Sequence, residues 1–275
     1  MIRMIFSMFI VAVVICHTSA THAGGWTQPK GKGYFKLSQQ VVRADAITLP
    51  NGKRHDIPTT VSGYTTSLYG EFGLLDRVTL VGYMPFYASF SADVDEIPSS
   101  SGIGDWDVGV RFGILTGGPT VVSLQAIAGL PLGDSGDDII LWTGDGEFNQ
   151  HFSLQIGHSL YPVPAYLKGE IGFNNRKSSD NPEDDYADEL RYSLEAGYTI
   201  AERLGVSLWL RGVEALDRAD DEFHPRNDIE YLSFGPQVSF YVTPNAGITA
   251  SMSRFTRSHN MLDAPTWEVG LFLKL

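Results

Sequence analysis

The chain has 275 residues, of which 20 are basic and 32 acidic, so its formal net charge at pH 7 is −12. This balance argues against nucleic-acid binding, because contact with phosphates requires a basic surface. Glycine (29 residues) and aromatic residues (12%) are frequent, and mean hydropathy is close to zero. These features favour a β-barrel, in which apolar residues alternate with polar ones; a soluble β-sandwich shares some of them.

Residues 1–23 are predicted to form a secretory signal peptide. A basic residue near the start precedes an apolar core at Ile5–Ile15 and a small-residue cleavage site that ends at Ala23. The core is too short for a transmembrane helix, which needs about 20 apolar residues. Cleavage leaves 19 basic and 32 acidic residues, a net charge of −13, and removes the single cysteine. We therefore predict an exported chain in which residues 24–275 form one barrel domain without disulfides.

The alternation of apolar and polar residues begins in the predicted strand Gly33–Asp45. The turn-rich polar stretch Leu49–Asp56 is predicted to be a long loop. A second strand follows at Tyr64–Phe72, the short turn Gly73–Arg77 comes next, and Val78–Phe86 forms the third strand. Long loops that alternate with short turns are typical of barrels with extracellular loops and periplasmic turns.

This rhythm continues to the end of the chain and predicts about twelve strands in all. An even number places both chain ends in the periplasm, as expected of a single-chain bacterial outer-membrane barrel. The remaining predicted strands are Gly104–Leu115, Val121–Leu132, Phe148–Leu160, Ala165–Asn175, Glu189–Tyr198, Leu204–Glu214, Ile229–Val242, Gly247–Phe255 and Trp267–Leu275.

The last strand, Trp267–Leu275, carries a continuous apolar stripe on one face. Tilted by roughly 40°, it would span about 23 Å along the membrane normal, close to the apolar band of an outer-membrane barrel. The strand resembles the closing signal of such barrels, with Glu268, Gly270, Leu273 and Leu275 in the matching places, although the signal usually ends in Phe or Trp. The resemblance implies recognition by the barrel-assembly machinery.

Three prolines, Pro85, Pro131 and Pro236, lie inside predicted strands and cannot donate to the strand ladder. One interpretation places them at bulges or strand ends. The other is a local gap in the wall through which a hydrophobic solute leaves sideways. The sequence leaves both open.

Charged side chains on the predicted inner face would line the lumen, because an Arg or Lys facing lipid at the midplane costs about 2–4 kcal/mol. The charges either form a packed network that fills the barrel or line a water-filled pore, and twelve strands leave both readings open. Inward aromatic residues suggest either a path for aromatic solutes or simple packing. Glu71, Glu195, Arg111, Arg191 and Arg211 are candidates for a constriction. The predicted pore-lining residues are Glu71, Asp105, Asp107, Arg111, Lys168, Glu170, Arg191, Glu195, Trp209, Arg211, Tyr231 and Glu268.

Acidic residues concentrate in the predicted loops Gly133–Gly146, Lys177–Asp188 and Asp217–Asp228. They form either a solvated acidic rim or sites for Ca²⁺ or Mg²⁺, alone or bridging to lipopolysaccharide phosphates. The spacing in the first loop is not that of an EF-hand. His151 and Ser153 share one face of a strand, where polar lumen lining is the favoured interpretation over catalysis. No metal, cofactor or catalytic site is predicted.

Two stretches, Tyr69–Leu80 and Gly102–Phe112, resemble outer-membrane barrels labelled as transporters of the meta-pathway of phenol degradation. The resemblance implies a porin-like barrel that passes small solutes, aromatic or hydrophobic ones among them. The stretch Trp26–Gly31 is similar to barrels associated with exopolysaccharide production. The expected function is therefore a passive channel in contact with outer-membrane lipid and lipopolysaccharide; the alternative is a filled barrel that serves surface structure, adhesion or exopolysaccharide production.

Overall fold

The computed structural model describes residues 24–94, 97–135, 141–178, 186–216 and 229–275. The predicted signal peptide, residues 1–23, lies outside the described residues. No helix that could cross a membrane occurs in these five ranges. The strands are β1 (Gly33–Thr48), β2 (Arg54–Leu75), β3 (Val78–Ala92), β4 (Ser100–Gly102), β5 (Trp106–Leu115), β6 (Thr120–Leu130), β7 (Glu147–Ser159), β8 (Ala165–Ser178), β9 (Glu189–Ile200), β10 (Leu204–Ala215), β11 (Glu230–Thr243), β12 (Ala246–His259), β13 (Met261–Leu262) and β14 (Thr266–Lys274).

The strands form one antiparallel sheet that closes on itself. β1 pairs with β2 on one side and with β14 on the other, and β14 also pairs with β12. The short strand β4 and the strand β5 both pair with β3, and the short strand β13 and the strand β14 both pair with β1. Each short strand is therefore a continuation of the longer one. Counting each interrupted strand once gives a barrel of twelve strands, which confirms the predicted architecture.

The two ends of the barrel differ in their connections. Five short connections lie at one end, which we call the turn end; the shortest of them are Asp76–Arg77 and Pro244–Asn245. The C-terminus lies there too, because the backbone N–H of Lys274 donates to the carbonyl of Asn245 at 2.6 Å. We call the opposite end the loop end, and the acidic stretches predicted from the sequence begin there.

The outer face of the barrel is apolar along the predicted stripes. On β14, the side chains of Trp267, Val269 and Leu271 are more than half exposed, whereas Glu268 and Phe272 are buried inside. Strand geometry sends successive side chains to opposite faces, so the polar residues between the apolar ones necessarily turn inward. The wall therefore presents hydrocarbon outside and polar groups inside.

The prediction that Leu49–Asp56 form a long loop is wrong for the last three residues, which belong to β2. β2 already begins at Arg54, and its first residues pair with the end of β1 across a tight connection. The backbone N–H of Leu49 donates to the carbonyl of Lys53 at 3.0 Å, and Gly52 adopts a φ of 74° that favours glycine. Polar residues occur here because the hairpin stands above the apolar belt, not because the chain is irregular.

Pro85 lies at a bulge between β2 and β3. Ser67 pairs with Pro85 while the preceding Thr66 pairs with Tyr87, so β3 contains one extra residue at this point. Pro131 follows the last residue of β6, whereas Pro236 remains inside β11. The bulge or strand-end interpretation therefore describes the first two prolines and not the third.

The packed core lies inside the barrel and on one side of it. At the loop end, Ile47 and Phe90 pack with Leu141 from the connection between β6 and β7. Closer to the turn end, the rings of Tyr34 and Phe272 stack with centroids 5.9 Å apart, and further tyrosines join them. These clusters fill the interior next to β14, β1 and β2, so open space is displaced toward β5–β10.

Leu271 lies about halfway along β14 and faces outward, which allows a test of the apolar belt. We expect Leu271→Arg to lower the unfolding free energy of the barrel in lipid vesicles by about 2–4 kcal/mol, because the charge meets hydrocarbon near the midplane. Leu75→Arg, at the turn end of β2, is the matched control and should change little. Denaturant titration of the folded barrel measures the unfolding free energy of both variants, with the folded fraction read from heat-dependent gel mobility. Equal losses of unfolding free energy would contradict the position assigned to the apolar belt.

Candidate functional site: a chamber inside the barrel

The interior contains a chamber of about 280 Å³ between β3 and the strands from β5 to β11. Gly24 borders it toward the turn end, and Trp142–Asp145 border it toward the loop end. Two predicted pore-lining residues, Glu71 and Glu268, face inward but lie away from the chamber, buried in the packed side. The ten that line the chamber are Asp105, Asp107, Arg111, Lys168, Glu170, Arg191, Glu195, Trp209, Arg211 and Tyr231.

The first described residues, 24–32, enter the barrel at the turn end, and we call them the N-terminal arm. The Trp26 ring packs where a side chain at position 157 would stand, so Gly157 is what admits it. The same ring meets Tyr166 edge-on, with centroids 6.3 Å apart. The backbone N–H of Gly25 donates to the Gln155 side chain at 3.4 Å. The arm thus crosses the lumen from β1 toward β7 and β8.

A buried charge cluster anchors the arm. The Glu71 carboxylate accepts hydrogen bonds from the Tyr69 hydroxyl at 2.6 Å and the Gln28 amide at 2.7 Å. Arg111 lies 3.1 Å from the same carboxylate and also donates to the Trp26 carbonyl at 3.1 Å. Both side chains of the ion pair are fully buried. Because buried charges need partners for all their polar atoms, this cluster links the wall and the arm into one unit.

A second buried pair lies in the packed side of the barrel. The Lys36 ammonium group is 2.6 Å from the Glu268 carboxylate, and both side chains are almost fully buried. The pair joins β1 to β14, the two strands whose pairing closes the barrel. Glu268 therefore supports closure, and it does not border the chamber.

Basic side chains on β8–β10 line one wall of the chamber. Lys168 lies 2.8 Å from Glu195, and Arg191 lies 2.7 Å from Glu189. The guanidinium group of Arg211 lies over the Trp209 ring, 4.4 Å from its centroid. Such a cation–π contact stabilises the guanidinium group over the face of the ring.

Acidic side chains join this basic wall at one set of lining residues, which we call the waist and define as Asp107, His151, Glu170 and Arg191. The charges of Arg191, Glu170 and Asp107 all act on the His151 ring, and the charge of Asp107 also acts on Arg191. Asp107 lies on β5 and Arg191 on β9, four strands apart in a ring of twelve, so a third of the circumference separates them. The waist therefore carries both charge signs on one part of the wall.

The loop-end border of the chamber is held by Asp105, between β4 and β5. Its carboxylate accepts hydrogen bonds from the backbone N–H groups of Gly133 at 2.8 Å and Asp145 at 2.6 Å. The Thr143 hydroxyl accepts a further one from the N–H of Asp134 at 2.8 Å. Burial and the charge of Asp145 raise the pKa of Asp105 to about 7. This carboxylate thus holds the connection between β6 and β7 in place, and we call it the Asp105 clamp.

Sequence reasoning missed one charged residue of the chamber wall, Arg176, and its buried partner Glu147. Arg176 on β8 contacts the carboxylates of Glu147 and Glu189, the latter at 3.1 Å. Glu147 begins β7 one residue before the predicted strand, and β8 runs past the predicted end at Asn175. Extending the inward alternation by one or two residues would have found both.

Most acidic residues of the three predicted acidic loops lie outside the described residues. Within the described ranges, no group of three or more His, Cys, Asp or Glu side chains could hold a metal ion. The acidic residues of these loops that lie outside the described ranges are Asp137, Asp138, Asp180, Glu183, Asp184, Asp185, Asp217, Asp220, Asp221, Glu222 and Asp228.

No protein-family model and no curated protein matches the chain. Solved structures do match it. The crystal structure of an outer membrane channel from Pseudomonas putida F1 has a TM-score of 0.77 at 14% identity and covers 93% of this chain and 100% of its own. The NanC porin has a TM-score of 0.55 at 10% identity, with 88% and 100% covered. The similarity shows the fold, a closed β-barrel like those of outer-membrane channels and porins, and confirms the resemblance at the level of the fold.

The buried pair of Glu71 and Arg111 generates a stability prediction. We expect Glu71→Gln to lower the unfolding free energy by about 3–5 kcal/mol, because Arg111 then keeps an uncompensated buried charge. The control Arg54→Ala removes exposed ion pairs and should cost less than about 1 kcal/mol. Denaturant midpoints in detergent measure both variants. A loss for Glu71→Gln no larger than that of the control would contradict the anchoring role.

Proposed function

We propose that the protein is an outer-membrane channel for the passive passage of small solutes. The observation that carries the proposal is the chamber, lined at the waist by Asp107 and Arg191, inside a closed barrel with an apolar outer surface. Charges of both signs along a lumen wall orient a dipolar solute and favour entry without tight binding, as conduction requires. The structural similarity to an outer membrane channel supports this function at the level of fold.

The chamber wall also suggests the kind of solute. Beside the charged groups, the wall contains the rings of Tyr83, Trp209 and Tyr231. Aromatic faces provide apolar contact area and accept cations, while the waist provides both charge signs. A compact solute with an aromatic or hydrophobic body and a polar group fits this lining best. Short turns face the periplasm in such barrels, which places the N-terminal arm at the periplasmic mouth and the Asp105 clamp at the extracellular one.

A filled structural barrel is the second candidate. The observation that favours it is the amount of interior occupied by the N-terminal arm and by the apolar cluster around Ile47 and Phe90. In that case the loops would act in surface structure, adhesion or polysaccharide export. The two candidates differ in one measurable property, because only the channel conducts ions.

Single-channel recording in planar bilayers tests the proposal. We expect discrete conductance steps for the unmodified barrel and larger steps for Trp26→Ala, because removing the ring widens the periplasmic mouth. Trp267→Ala is the matched control, since this ring lies on the outer surface and its loss should leave the steps unchanged. Absence of conductance at any voltage, in a preparation shown by gel mobility to be folded, would favour the filled barrel.

The raised pKa of Asp105 generates a pH prediction for the same recordings. A carboxyl with a pKa of about 7 is mostly charged at pH 8 and mostly neutral at pH 6. We therefore expect the preference for cations over anions to fall as the pH is lowered through this window. The reversal potential in a salt gradient measures it. Asp105→Asn should show the same low preference for cations at pH 8 and at pH 6. If this variant kept the full pH dependence, the dependence would belong to another group.

A further inference from the structure

A row of outward side chains marks the upper edge of the apolar belt on β2, β1, β14 and β12. Val41 pairs with both Tyr64 and Trp267, and Met252 pairs with Trp267, so the four residues form one row across neighbouring strands. The rings of Tyr64 and Trp267 are both exposed on the outer surface. Tyrosine and tryptophan collect where hydrocarbon meets headgroups, so this row places the membrane interface.

Two arginines stand directly above this row. Val42 and Ser253 both pair with Thr266, so Arg43 and Arg254, each one residue further toward the loop end, flank Pro265 on either side of β14. Both side chains are exposed, and the adjoining Ser253 is buried inside, so the arginines point outward. Two strand spacings separate their backbones, about 10 Å.

The height of the arginines matches a headgroup position. From Leu275 to Pro265, which lies between the arginines, ten residues rise about 33 Å along the strand, or about 25 Å along the normal at a tilt of roughly 40°. The apolar band of outer-membrane barrels is about 25 Å tall. The guanidinium groups therefore lie at its outer boundary, where a positive charge meets lipid headgroups and not hydrocarbon.

The neighbouring carboxylates have other partners. Arg54 contacts Asp45 at 3.2 Å, Asp56 at 2.7 Å and Asp263 at 3.2 Å. Arg257, further up β12, contacts Glu214. Among the described residues, no carboxylate is in ion-pair contact with Arg43 or Arg254. Two neighbouring exposed guanidinium groups thus remain available for an anion from outside the protein.

We propose that Arg43 and Arg254 bind a phosphate group of a glycolipid of the outer leaflet, the phosphorylated lipid A part of lipopolysaccharide. Guanidinium groups bind phosphate oxygens through paired, charge-assisted hydrogen bonds, and long side chains reach across the 10 Å from both sides. The exposed Trp267 ring just below provides apolar surface for the acyl chains of the same lipid. The proposal rests on the outer-membrane placement and is independent of whether the lumen conducts.

Binding of fluorescent rough lipopolysaccharide to the purified barrel in detergent tests the proposal. We expect the double variant Arg43→Ala with Arg254→Ala to bind at least about tenfold more weakly, as loss of charge-assisted hydrogen bonds predicts. Lipopolysaccharide stripped of its lipid A phosphates should bind the variant and the unmodified barrel equally. Lys177→Ala is the matched control, because this exposed lysine lies on the outer face of β8, on the other side of the barrel.

Each remaining outcome decides the proposal. Equal affinity of the double variant and the unmodified barrel would overturn it, and so would an equal loss in Lys177→Ala, which indicates unspecific attraction. Full competition by millimolar inorganic phosphate would overturn the lipid assignment and indicate a site for free phosphate.

The heat-dependent gel shift of every preparation shows that the barrel is folded. Replacement of both arginines by lysine keeps the charge and should restore part of the affinity. Conductance is recorded on the same samples, so failure of the channel is seen separately.

Discussion

Closure of the sheet is the constraint on which the rest of the structure depends. A strand in hydrocarbon has no water for its backbone N–H and C=O groups, so every edge must be paired. Here the last strand meets that need, because Thr266–Lys274 pair with Tyr34–Val42 of the first. The buried Lys36 and Glu268 pair reinforces the same seam. A chain without this pairing would leave two open edges in the membrane.

Closure also determines where the charges go. Alternation along each strand sends one set of side chains to lipid, so charged residues must occupy the lumen. In a ring of twelve strands they come close enough to pair, and many do, as Arg191 does with Glu189. The interior is not filled evenly, because aromatic and aliphatic clusters occupy the side of β14, β1 and β2. The remaining charges therefore surround a chamber on the opposite side.

Two segments outside the strands give this chamber its ends. The N-terminal arm lies across the turn end and is joined to the wall through Arg111 and Glu71. The connection between β6 and β7 lies across the loop end and is held by Asp105. The same buried ion pair that stabilises the barrel thus also positions the arm, so stability and the width of the opening at the turn end are physically coupled.

The sequence by itself determined the twelve strands and the inward direction of the charged residues predicted to line the lumen. This was possible because strand alternation is local, and because a lipid surround penalises any exchange of faces; the stripe from Trp267 to Leu275 shows both effects. The start of β2 at Arg54 was mistaken for a loop. Polar residues are found both in irregular loops and in strands that extend beyond the apolar belt, so composition alone does not distinguish the two.

Only the tertiary structure decided which inward residues border open space. Glu71 and Arg111 have the same inward alternation, yet Glu71 is sealed beneath Gln28 while Arg111 also reaches the chamber. The difference depends on the arm and on the clamp at Asp105, whose contacts join residues more than twenty-five positions apart. Such contacts arise from the way the closed ring brings distant strands together, and no local pattern encodes them.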